Sequence, residues 1–471
     1  MKRRRPVAAV VLAAGLGTRM RSSRAKVLHE LGGRPLIAYP LDALRAVGAD
    51  PIVVVVGHQE EAVRAACAPW KTEFSRQAEQ RGTGHAVRTA APALRGFDGD
   101  VLLVNGDLPF LSTASYRSLI RAHQRSRASV SLLTAEVDEP RGFGRILRAG
   151  GKVIGIVEEK DATEQQRALR EVNVGLYCAS AEFLFPALRR LRPSNAQAEL
   201  YLTDIVGQAH GAGLGIASAQ ADASEGAQVS TLADLAEHER TLRQRTNRQW
   251  MERGVTMLDP DSTYIGADVE IGADTVLGPN VILQGRTRIG RRCRFDGTAQ
   301  VVDTVVGDDV HVKLGVVIAS AKLGDGVRVG PFAQLRPETE LGDEVHIGNF
   351  VETKKARLGR GTKANHLAYI GDAEVGVDTN IGAGTITCNY DGFRKHRTTI
   401  GDRVQVGSDT TLVAPLDVGD DAYIATASTV RKDVTPGALF FNVRRDMERP
   451  GWVEARRRME AEATRRKKRK G

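Results

Sequence analysis

The first residues that could do chemistry form a glycine-rich loop, residues 13–20, which Lys26 follows. Glycines let backbone N–H groups approach an anion, and a helix starting behind the loop adds a favourable dipole. The loop is not the dinucleotide pattern, because Met20 replaces the third glycine, and it lacks the spacing of a Walker loop. A GxG turn alone is weak, but Arg19 and Lys26 could neutralise a polyphosphate. We therefore predict a phosphate-binding site.

A lone aspartate follows a second apolar run, in the segment Asn105-Gly106-Asp107. Such an aspartate is often only a helix cap. Opposite a phosphate-binding loop it becomes a candidate ligand of Mg²⁺, which prefers one or two carboxylates together with phosphate oxygens. We therefore predict that Asp107 binds Mg²⁺.

Further polar residues recur in the second half of the chain, at corresponding positions of a repeated pattern. They are Arg336, Lys354, His366, Tyr369, Asn380, Asn389 and Tyr390. A lone histidine is more often structural than catalytic. A histidine, a tyrosine, asparagines and cations on consecutive repeats can converge in space, so we expect a second site rather than a structural spacer.

Short apolar strands that alternate with helices must position the first site. Strands are predicted at Val7–Leu12, Ile52–Val56 and 101–104, and helices at 36–48, 59–67 and 83–94. This alternation predicts a parallel sheet with helices on both faces. Ligands of such folds bind beyond the carboxyl ends of the strands, where the glycine loop and Asp107 begin.

A six-residue repeat must position the second site. An aliphatic residue recurs at every sixth position, usually before a glycine, over more than twenty hexads. Its members are Ile265, Ile271, Leu277, Leu283, Ile289, Val306, Val312, Ile318, Leu323, Val329, Leu335, Leu341, Ile347, Leu358, Ala364, Ile370, Val375, Ile381, Ile400, Val406, Leu412, Val418, Ile424 and Val430. This period is typical of a parallel β-helix, with the aliphatic side chain inside and the glycine at a tight corner. A break in phase between 387 and 400 predicts an excursion from the coil.

Composition limits the classes of protein. At 471 residues the chain should hold two or three domains. Four scattered cysteines argue against a zinc site or a disulfide framework and favour a reducing cytoplasm. The basic, apolar N-terminus resembles a secretion signal, but its apolar run leads directly into the glycine loop, and no stretch is long enough for a membrane span. We therefore expect a cytoplasmic protein.

The net charge of +10 comes mainly from the two ends. From Arg456 onward there are nine basic residues against two acidic ones, and residues 2–5 add four more basic residues. Such a tail could bind nucleic acid or an anionic membrane surface. A disordered, solubilising tail is the simpler interpretation and the one we expect.

The motifs of the first half resemble sugar-phosphate nucleotidylyltransferases. They lie at residues 12–20, 77–85, 105–107, 142–145, 156–161 and 201–204. Joined to the hexads, they resemble the bifunctional N-acetylglucosamine-1-phosphate uridyltransferase/glucosamine-1-phosphate N-acetyltransferase family over nearly the whole chain. The resemblance implies a Rossmann-like α/β nucleotidyltransferase domain (1–228), a helical arm (229–254), a left-handed parallel β-helix acetyltransferase domain (255–437) and a C-terminal segment (438–471).

The resemblance also assigns the residues of nucleotidyl transfer. Those implied to bind UTP or UDP-N-acetylglucosamine are Leu12, Ala13, Ala14, Gly15, Lys26, Gln77, Gly82, Thr83, Asn105, Asp107, Gly144, Glu158 and Asn173. The last three would hold the sugar phosphate. Arg19 and Lys26 would act as catalytic cations on the phosphates. Mg²⁺ would bind Asp107 and Ser230, which we align with a metal-binding asparagine of the family.

For acetyl transfer from acetyl-CoA, the resemblance implies that His366 is the general base, consistent with the ordinary histidine pKa of roughly 6.5. Glucosamine-1-phosphate would bind Arg336, Lys354, Tyr369, Asn380 and Lys395. Acetyl-CoA would bind Asn389, Tyr390, Ser408, Thr426 and, through a one-residue shift, Arg444. The family assembles as homotrimers with acetyl-transfer sites between subunits.

Several positions depart from the family pattern. They are Ala25 for a usual proline, Gln197-Ala198-Glu199-Leu200 for QGEY, Ser230 for asparagine, Thr426-Ala427 for Ala-Gly and Asn442-Val443 for Ser-Arg. They motivate a second hypothesis, a relative that keeps one activity or uses a related aminosugar phosphate or nucleotide. A third is an inactive rod that assembles or binds nucleic acid through its tail. The joint presence of Lys26, Asp107 and His366 argues against it, because no structural role requires them.

Overall fold

The computed structural model describes residues 5–443 and 447–468. The chain forms two compact units, residues 1–252 with 263–268, and residues 253–262 with 269–471. Each unit is described by itself.

The first unit is built on a mixed sheet with the strand order β11-β7-β10-β6-β1-β4-β5, to which the hairpin β8–β9 is joined through β10. A small hairpin, β2–β3, lies apart from it. The strands are β1 (Val7–Leu12), β2 (Glu30–Leu31), β3 (Arg34–Pro35), β4 (Ile52–Val56), β5 (Glu73–Arg76), β6 (Asp100–Asn105), β7 (Val130–Glu136), β8 (Arg145–Ala149), β9 (Lys152–Val157), β10 (Glu171–Ser180) and β11 (Ile216–Gln220).

Helices cover both faces of this sheet, as predicted from the alternating pattern. The predicted parallel arrangement holds for β1, β4, β5 and β6 but is wrong for β10, which runs antiparallel to β6 and β7. The α-helices of the first unit are α1 (Ala38–Ala46), α2 (Glu60–Ala66), α3 (Thr83–Ala90), α4 (Thr113–Ser126), α5 (Glu164–Arg167), α6 (Ala181–Arg190), α7 (Asp204–Gly211) and α8 (Leu232–Glu252). Short 3₁₀ helices occupy Thr18–Met20, Lys26–Leu28, Ala91–Leu94, Ala223–Glu225 and Pro260–Ser262. The stretch predicted to be a helical arm therefore forms α8.

Strand register brings the first site together. β1 lies between β4 and β6 and runs parallel to both. Leu12, at its carboxyl end, is level with Asn105 of β6 and Val55 of β4. The glycine loop after Leu12 and the segment after Asn105 therefore start side by side, as expected for ligand sites of such sheets.

The second unit is a left-handed parallel β-helix with two long parallel sheets. The strands from residue 256 onward are β12 (Thr256–Met257), β13 (Tyr264–Ile265), β14 (Glu270–Ile271), β15 (Val276–Leu277), β16 (Val281–Gln284), β17 (Arg288–Ile289), β18 (Arg294–Phe295), β19 (Ala299–Val302), β20 (Val305–Val306), β21 (His311–Val312), β22 (Val316–Ala319), β23 (Lys322–Leu323), β24 (Arg328–Val329), β25 (Gln334–Leu335), β26 (Glu340–Leu341), β27 (His346–Asn349), β28 (Glu352–Leu358), β29 (Lys363–His366), β30 (Tyr369–Val375), β31 (Asn380–Ile381), β32 (Ile386–Cys388), β33 (Thr398–Ile400), β34 (Gln405–Val406), β35 (Thr411–Val413), β36 (Leu416–Val418), β37 (Tyr423–Ile424), β38 (Thr429–Val430) and β39 (Leu439–Phe440). All the hexad aliphatic residues named above are buried, which confirms the predicted periodicity.

The hexad glycines are needed for a reason other than the predicted one. Gly342 and Gly359 follow hexad aliphatic residues, yet neither has a left-handed backbone. A Cβ on Gly359 would lie 2.7 Å from the carbonyl oxygen of Gly376, one coil further on. Gly330, which follows Val329, does have a left-handed φ of 98°, but other left-handed conformations fall on non-glycine residues such as Asp309 and Glu338. The prediction of a corner glycine therefore holds at Gly330 and is wrong at Gly342 and Gly359, where close stacking of coils explains the glycine.

The C-terminal tail also differs from expectation. Residues 456–468 of the basic tail, predicted to be disordered, lie in the helix α9 (Trp452–Lys468). Its alanine, glutamate and arginine residues favour helix, and Arg456 pairs with Glu460 one turn later. Within the described parts of the chain, every helix is too short or too polar to span a membrane.

Candidate functional site

A cavity of about 400 Å³ opens at the carboxyl end of β1. It brings together ten residues predicted to bind the nucleotide. These are Leu12, Ala13, Ala14, Gly15, Lys26, Gln77, Gly82, Thr83, Asn105 and Asp107. Residues from four separate segments thus share one concave surface of the size that a small ligand needs.

A buried ion pair lies in this cavity. Lys26 Nζ contacts Asp107 Oδ2, and the two side chains are only 15% and 8% exposed. Gly17 allows Lys26 to lie against the loop, because a Cβ on Gly17 would be 2.8 Å from the Lys26 Cβ. Gly17 also has a left-handed φ of 60°. The conformation of the glycine loop therefore allows the Lys26 ammonium to contact Asp107.

Gln228, which the sequence analysis missed, completes this pair. Its Nε2 donates to Asp107 Oδ1 at 3.3 Å, and it lines the cavity. Ser230, predicted to be the second metal ligand, lies outside the cavity lining, and its backbone N–H donates to Asp234 Oδ2. Aligning Gln228, rather than Ser230, with the metal-binding asparagine of the resembled family would have found it.

The opposite wall of the cavity is held by the start of α3. Gly82 has a φ of 101°, and a Cβ there would lie 2.7 Å from the Leu200 carbonyl oxygen. Thr83 Oγ1 accepts from the Leu202 N–H at 3.1 Å. Gln77 Nε2 donates to the Gly82 carbonyl at 3.3 Å. This nitrogen is thereby engaged, and the Gln77 carbonyl oxygen is the atom suited to accept from a ligand.

The three residues predicted to hold the sugar phosphate form a separate group. The Asn173 N–H donates to the Gly144 carbonyl at 2.9 Å, and a Cβ on Gly144 would lie 3.5 Å from Glu158 Oε2. Thr203 Oγ1 donates to Glu158 Oε1 at 3.1 Å. Burial raises the pKa of Glu158, and nearby Asp161 adds to the effect. Gly144, Glu158 and Asn173 therefore lie around one partly buried position.

Arg19, predicted to act on the phosphates, does not join the other predicted residues in the cavity. It lies exposed in the 3₁₀ helix after the glycine loop and does not line the cavity. Its assignment as a catalytic cation stays a prediction.

The donor atoms in the cavity suit a divalent cation that also binds phosphate. In residues 5–443 and 447–468, no three histidine, cysteine, aspartate or glutamate side chains are grouped to hold a metal ion. Asp107 supplies one carboxylate, and the side-chain amide of Gln228 lies against it. Mg²⁺ typically takes one or two protein oxygens and completes its shell with phosphate and water, so this set fits.

On the β-helix, Arg336, Lys354 and Lys395 form a cluster of cations. Arg336 Nη1 donates to Glu352 Oε1 at 2.7 Å. The ammonium of Lys395 lowers the pKa of Lys354, an effect to which Arg336 adds. Tyr369 is paired in register with Glu352. Cations forced together in this way are suited to an anion such as a phosphate.

Two of the residues predicted for acetyl-CoA adjoin this cluster. Asn389 Nδ2 donates to the Tyr369 hydroxyl at 3.5 Å and also contacts Asp372 Oδ2. Tyr390 forms a bridge with Lys395 across the loop that leaves the coil between β32 and β33. The predicted break in the hexads is therefore confirmed.

His366 ends β29 on the neighbouring face of the same coils. Its Nδ1 lies 2.7 Å from Asn349 Oδ1, and the ring is exposed. Because a carbonyl oxygen only accepts, Nδ1 donates, and in the neutral ring Nε2 is then the acceptor. Asn380 begins β31, directly beside Lys363 of β29. In its neutral form the histidine can therefore accept a proton through Nε2.

The remaining predicted residues lie further along the β-helix. Ser408 and Thr426 are exposed on successive coils, and the Ser408 carbonyl accepts from the Ala427 N–H at 2.8 Å. Arg444 falls outside the described residues. Both Ser408 and Thr426 stay predictions for acetyl-CoA binding.

Comparison with known proteins identifies the family. Residues 9–201 match the family model described as MobA-like NTP transferase domain, and residues 320–355 match bacterial transferase hexapeptide (six repeats). Relatives named "Bifunctional protein GlmU" come from Pelobacter propionicus (49% identity over 95% of this chain and 98% of that protein), Anaeromyxobacter dehalogenans strain 2CP-C (49%, 98% and 96%) and Geotalea uraniireducens (46%, 95% and 98%). The chain therefore belongs to the GlmU family of bifunctional transferases, which confirms the predicted resemblance.

Proposed function

We propose that this member of the GlmU family makes UDP-N-acetylglucosamine in two reactions on separate parts of the chain. The β-helix acetylates glucosamine-1-phosphate with acetyl-CoA. The α/β unit transfers UMP from UTP to the resulting N-acetylglucosamine-1-phosphate and releases pyrophosphate. The observation that carries the proposal is the convergence of ten predicted nucleotide-binding residues on one cavity that also contains the Lys26–Asp107 pair.

The cavity suits nucleotidyl transfer because that reaction needs positioning and charge neutralisation more than a protein nucleophile. The sugar's phosphate oxygen attacks the α-phosphorus of UTP in line, and the bond to pyrophosphate breaks. Lys26 would offset the charge of the phosphates, while backbone N–H groups of the glycine loop bind their oxygens. Gln77 and Thr83 would orient the uridine, and Glu158 and Asn173 the sugar.

We propose Mg²⁺ as the divalent cation, bound by Asp107 and, in place of Ser230, by Gln228. When bound, Mg²⁺ would neutralise developing negative charge on the phosphate oxygens. The existing Lys26–Asp107 contact holds the carboxylate at this position in the free protein.

In acetyl transfer, the amine nitrogen attacks the thioester carbonyl carbon, and the carbon–sulfur bond breaks to release coenzyme A. His366 would take the proton that the amine loses, through Nε2, because Asn349 fixes Nδ1 as the donor. Arg336, Lys354 and Lys395 would hold the sugar phosphate. Removing a general base typically slows a reaction by about 10²- to 10⁴-fold, which is the loss expected for His366→Ala.

We further propose that the β-helix assembles as a homotrimer in which a neighbouring copy completes the acetyl-transfer site. The support is family membership and the exposure of His366 on the coil surface. Cytoplasmic location is part of the same proposal, because the substrates are soluble metabolites.

The test is to incubate the protein with glucosamine-1-phosphate, acetyl-CoA, UTP and Mg²⁺, and to follow free thiol and pyrophosphate separately. Both products should form, and pyrophosphate should require either acetylation or added N-acetylglucosamine-1-phosphate. A protein that keeps only acetyl transfer would release thiol alone, and one that keeps only uridylyl transfer would release pyrophosphate alone, from added N-acetylglucosamine-1-phosphate. Release of neither product when N-acetylglucosamine-1-phosphate is also added would refute the proposal.

A further inference from the structure

Gln59 has an unusual backbone for its residue type. It precedes α2 with φ 53° and ψ 41°, the left-handed conformation. A Cβ disfavours this conformation, and glycine adopts it freely. A glutamine kept there indicates that its side chain has a role that outweighs the backbone strain.

The Gln59 side chain binds the backbone of a segment 34 residues earlier in the chain. Its Oε1 accepts from the Ala25 N–H at 2.8 Å, and its Nε2 donates to the Ser23 carbonyl at 2.6 Å. Both polar ends of one amide are thus used on two backbone groups of a single loop.

That loop carries the catalytic lysine. Ala25 is 1% exposed and is the residue before the 3₁₀ helix that Lys26 begins. A buried N–H without a partner is costly, so the Gln59 bond fixes Ala25 and, through the next peptide, the start of the Lys26 side chain. The Lys26–Asp107 pair in the cavity depends on where this peptide lies.

We propose that Gln59 is a positioning residue that clamps residues 23–25 and so places Lys26 where it offsets the charge of the UTP phosphates; this rests on the proposed uridylyl transfer. Gln59 itself lies outside the lining of the cavity. Its effect is transmitted through the backbone of Ala25.

Two substitutions distinguish the effect of the Gln59 hydrogen bonds on residues 23–25 from a general loss of stability. Gln59→Gly deletes the side chain and suits the left-handed backbone, so the fold should not be weakened by strain. Ala25→Pro matches the observed φ of −57° and removes the N–H that needs a partner. The matched control is Arg127→Gly, which makes the same backbone change at φ 51° in the C-terminal cap of α4.

The expected results concern only one activity. Q59G should lower kcat/KM for UTP about tenfold, equivalent to about 1.4 kcal/mol, with acetyl transfer unchanged. R127G should change neither activity. In the A25P background, Q59G should change kcat/KM by less than about threefold, because proline then restrains the loop. Amide hydrogen exchange of residues 22–28 should be faster in Q59G than in wild type.

The proposal fails if Q59G has wild-type kcat/KM and wild-type exchange, or if its effect is equally large in the A25P background. It also fails if acetyl transfer falls in parallel, which would indicate general destabilisation. If A25P does not fold, Gln59→Glu replaces it: the acceptor for the Ala25 N–H is kept, so its loss should be smaller than that of Q59G. Wild-type protein that releases no pyrophosphate would instead refute the proposed uridylyl transfer, while the exchange measurement would still test the clamp.

Discussion

The Lys26–Asp107 pair should contribute to the stability of the fold, separately from its role with substrate. Removing one partner of a buried pair typically costs about 3–5 kcal/mol, because the other charge is left without compensation. The side chains are 15% and 8% exposed, and Gln228 still donates to Asp107, so we expect the lower end, about 3 kcal/mol, for Lys26→Met. Asp107→Asn should cost a similar amount.

The double variant K26M/D107N leaves no unpaired charge, so its loss should be smaller than the sum of the two single losses by about 2 kcal/mol. Urea unfolding followed by tryptophan fluorescence measures this, because Trp70 and Trp250 both lie in the first unit. Trp452, in the exposed helix α9, is replaced by phenylalanine in every variant. Single variants as stable as wild type, or strictly additive losses, would refute the reasoning.

Three further predictions concern individual residues. Gln228→Ala should raise the dissociation constant for Mn²⁺, measured with a non-hydrolysable UTP analogue present, about 10- to 100-fold, whereas Ser230→Ala should not. Mn²⁺ serves here as a spectroscopic substitute for Mg²⁺. The opposite order of effects would restore Ser230 as the metal ligand. Burial raises the pKa of Glu158, so its ionised form destabilises the fold at neutral pH. Glu158→Gln should therefore raise the urea midpoint at pH 7, and this gain in stability should disappear below the unfolded-state pKa of roughly 4.3. The same substitution should weaken binding of N-acetylglucosamine-1-phosphate. Lys395 lowers the pKa of Lys354, so the KM for glucosamine-1-phosphate should rise with pH as Lys354 loses its charge. Lys395→Met should move that rise to higher pH. An unchanged pH profile would contradict the assignment of Lys354 to the sugar phosphate.

Much of the fold could be predicted because it depends on local periodicity. β1 and β4 begin and end at the predicted residues, since each is an uninterrupted apolar run that starts directly after a proline. The hexads predicted which aliphatic residues are buried, because only a period of six fits the flat sides of the coil. The role of the glycines could not be read in this way, since it depends on the distance between coils.

The candidate site was predictable where a motif is contiguous and less so where it depends on contacts distant in sequence. Motif matching found Lys26 and Asp107, which the structure brings into contact. It missed Gln228 because a shift of two residues directed attention to Ser230. Nothing in the sequence indicated Gln59, whose contacts depend on a left-handed backbone and on a partner segment 34 residues away. With Gln228 beside Asp107, Ser230 no longer gives a reason to expect weakened nucleotidyl transfer.

The central claim is that one chain carries two chemically independent sites. The most direct test measures both products, thiol and pyrophosphate, for His366→Ala and Asp107→Asn, with N-acetylglucosamine-1-phosphate added for the second reaction. His366→Ala should lose thiol release and keep pyrophosphate release, and Asp107→Asn should do the reverse. Loss of both activities in either variant, or of neither, would contradict the account.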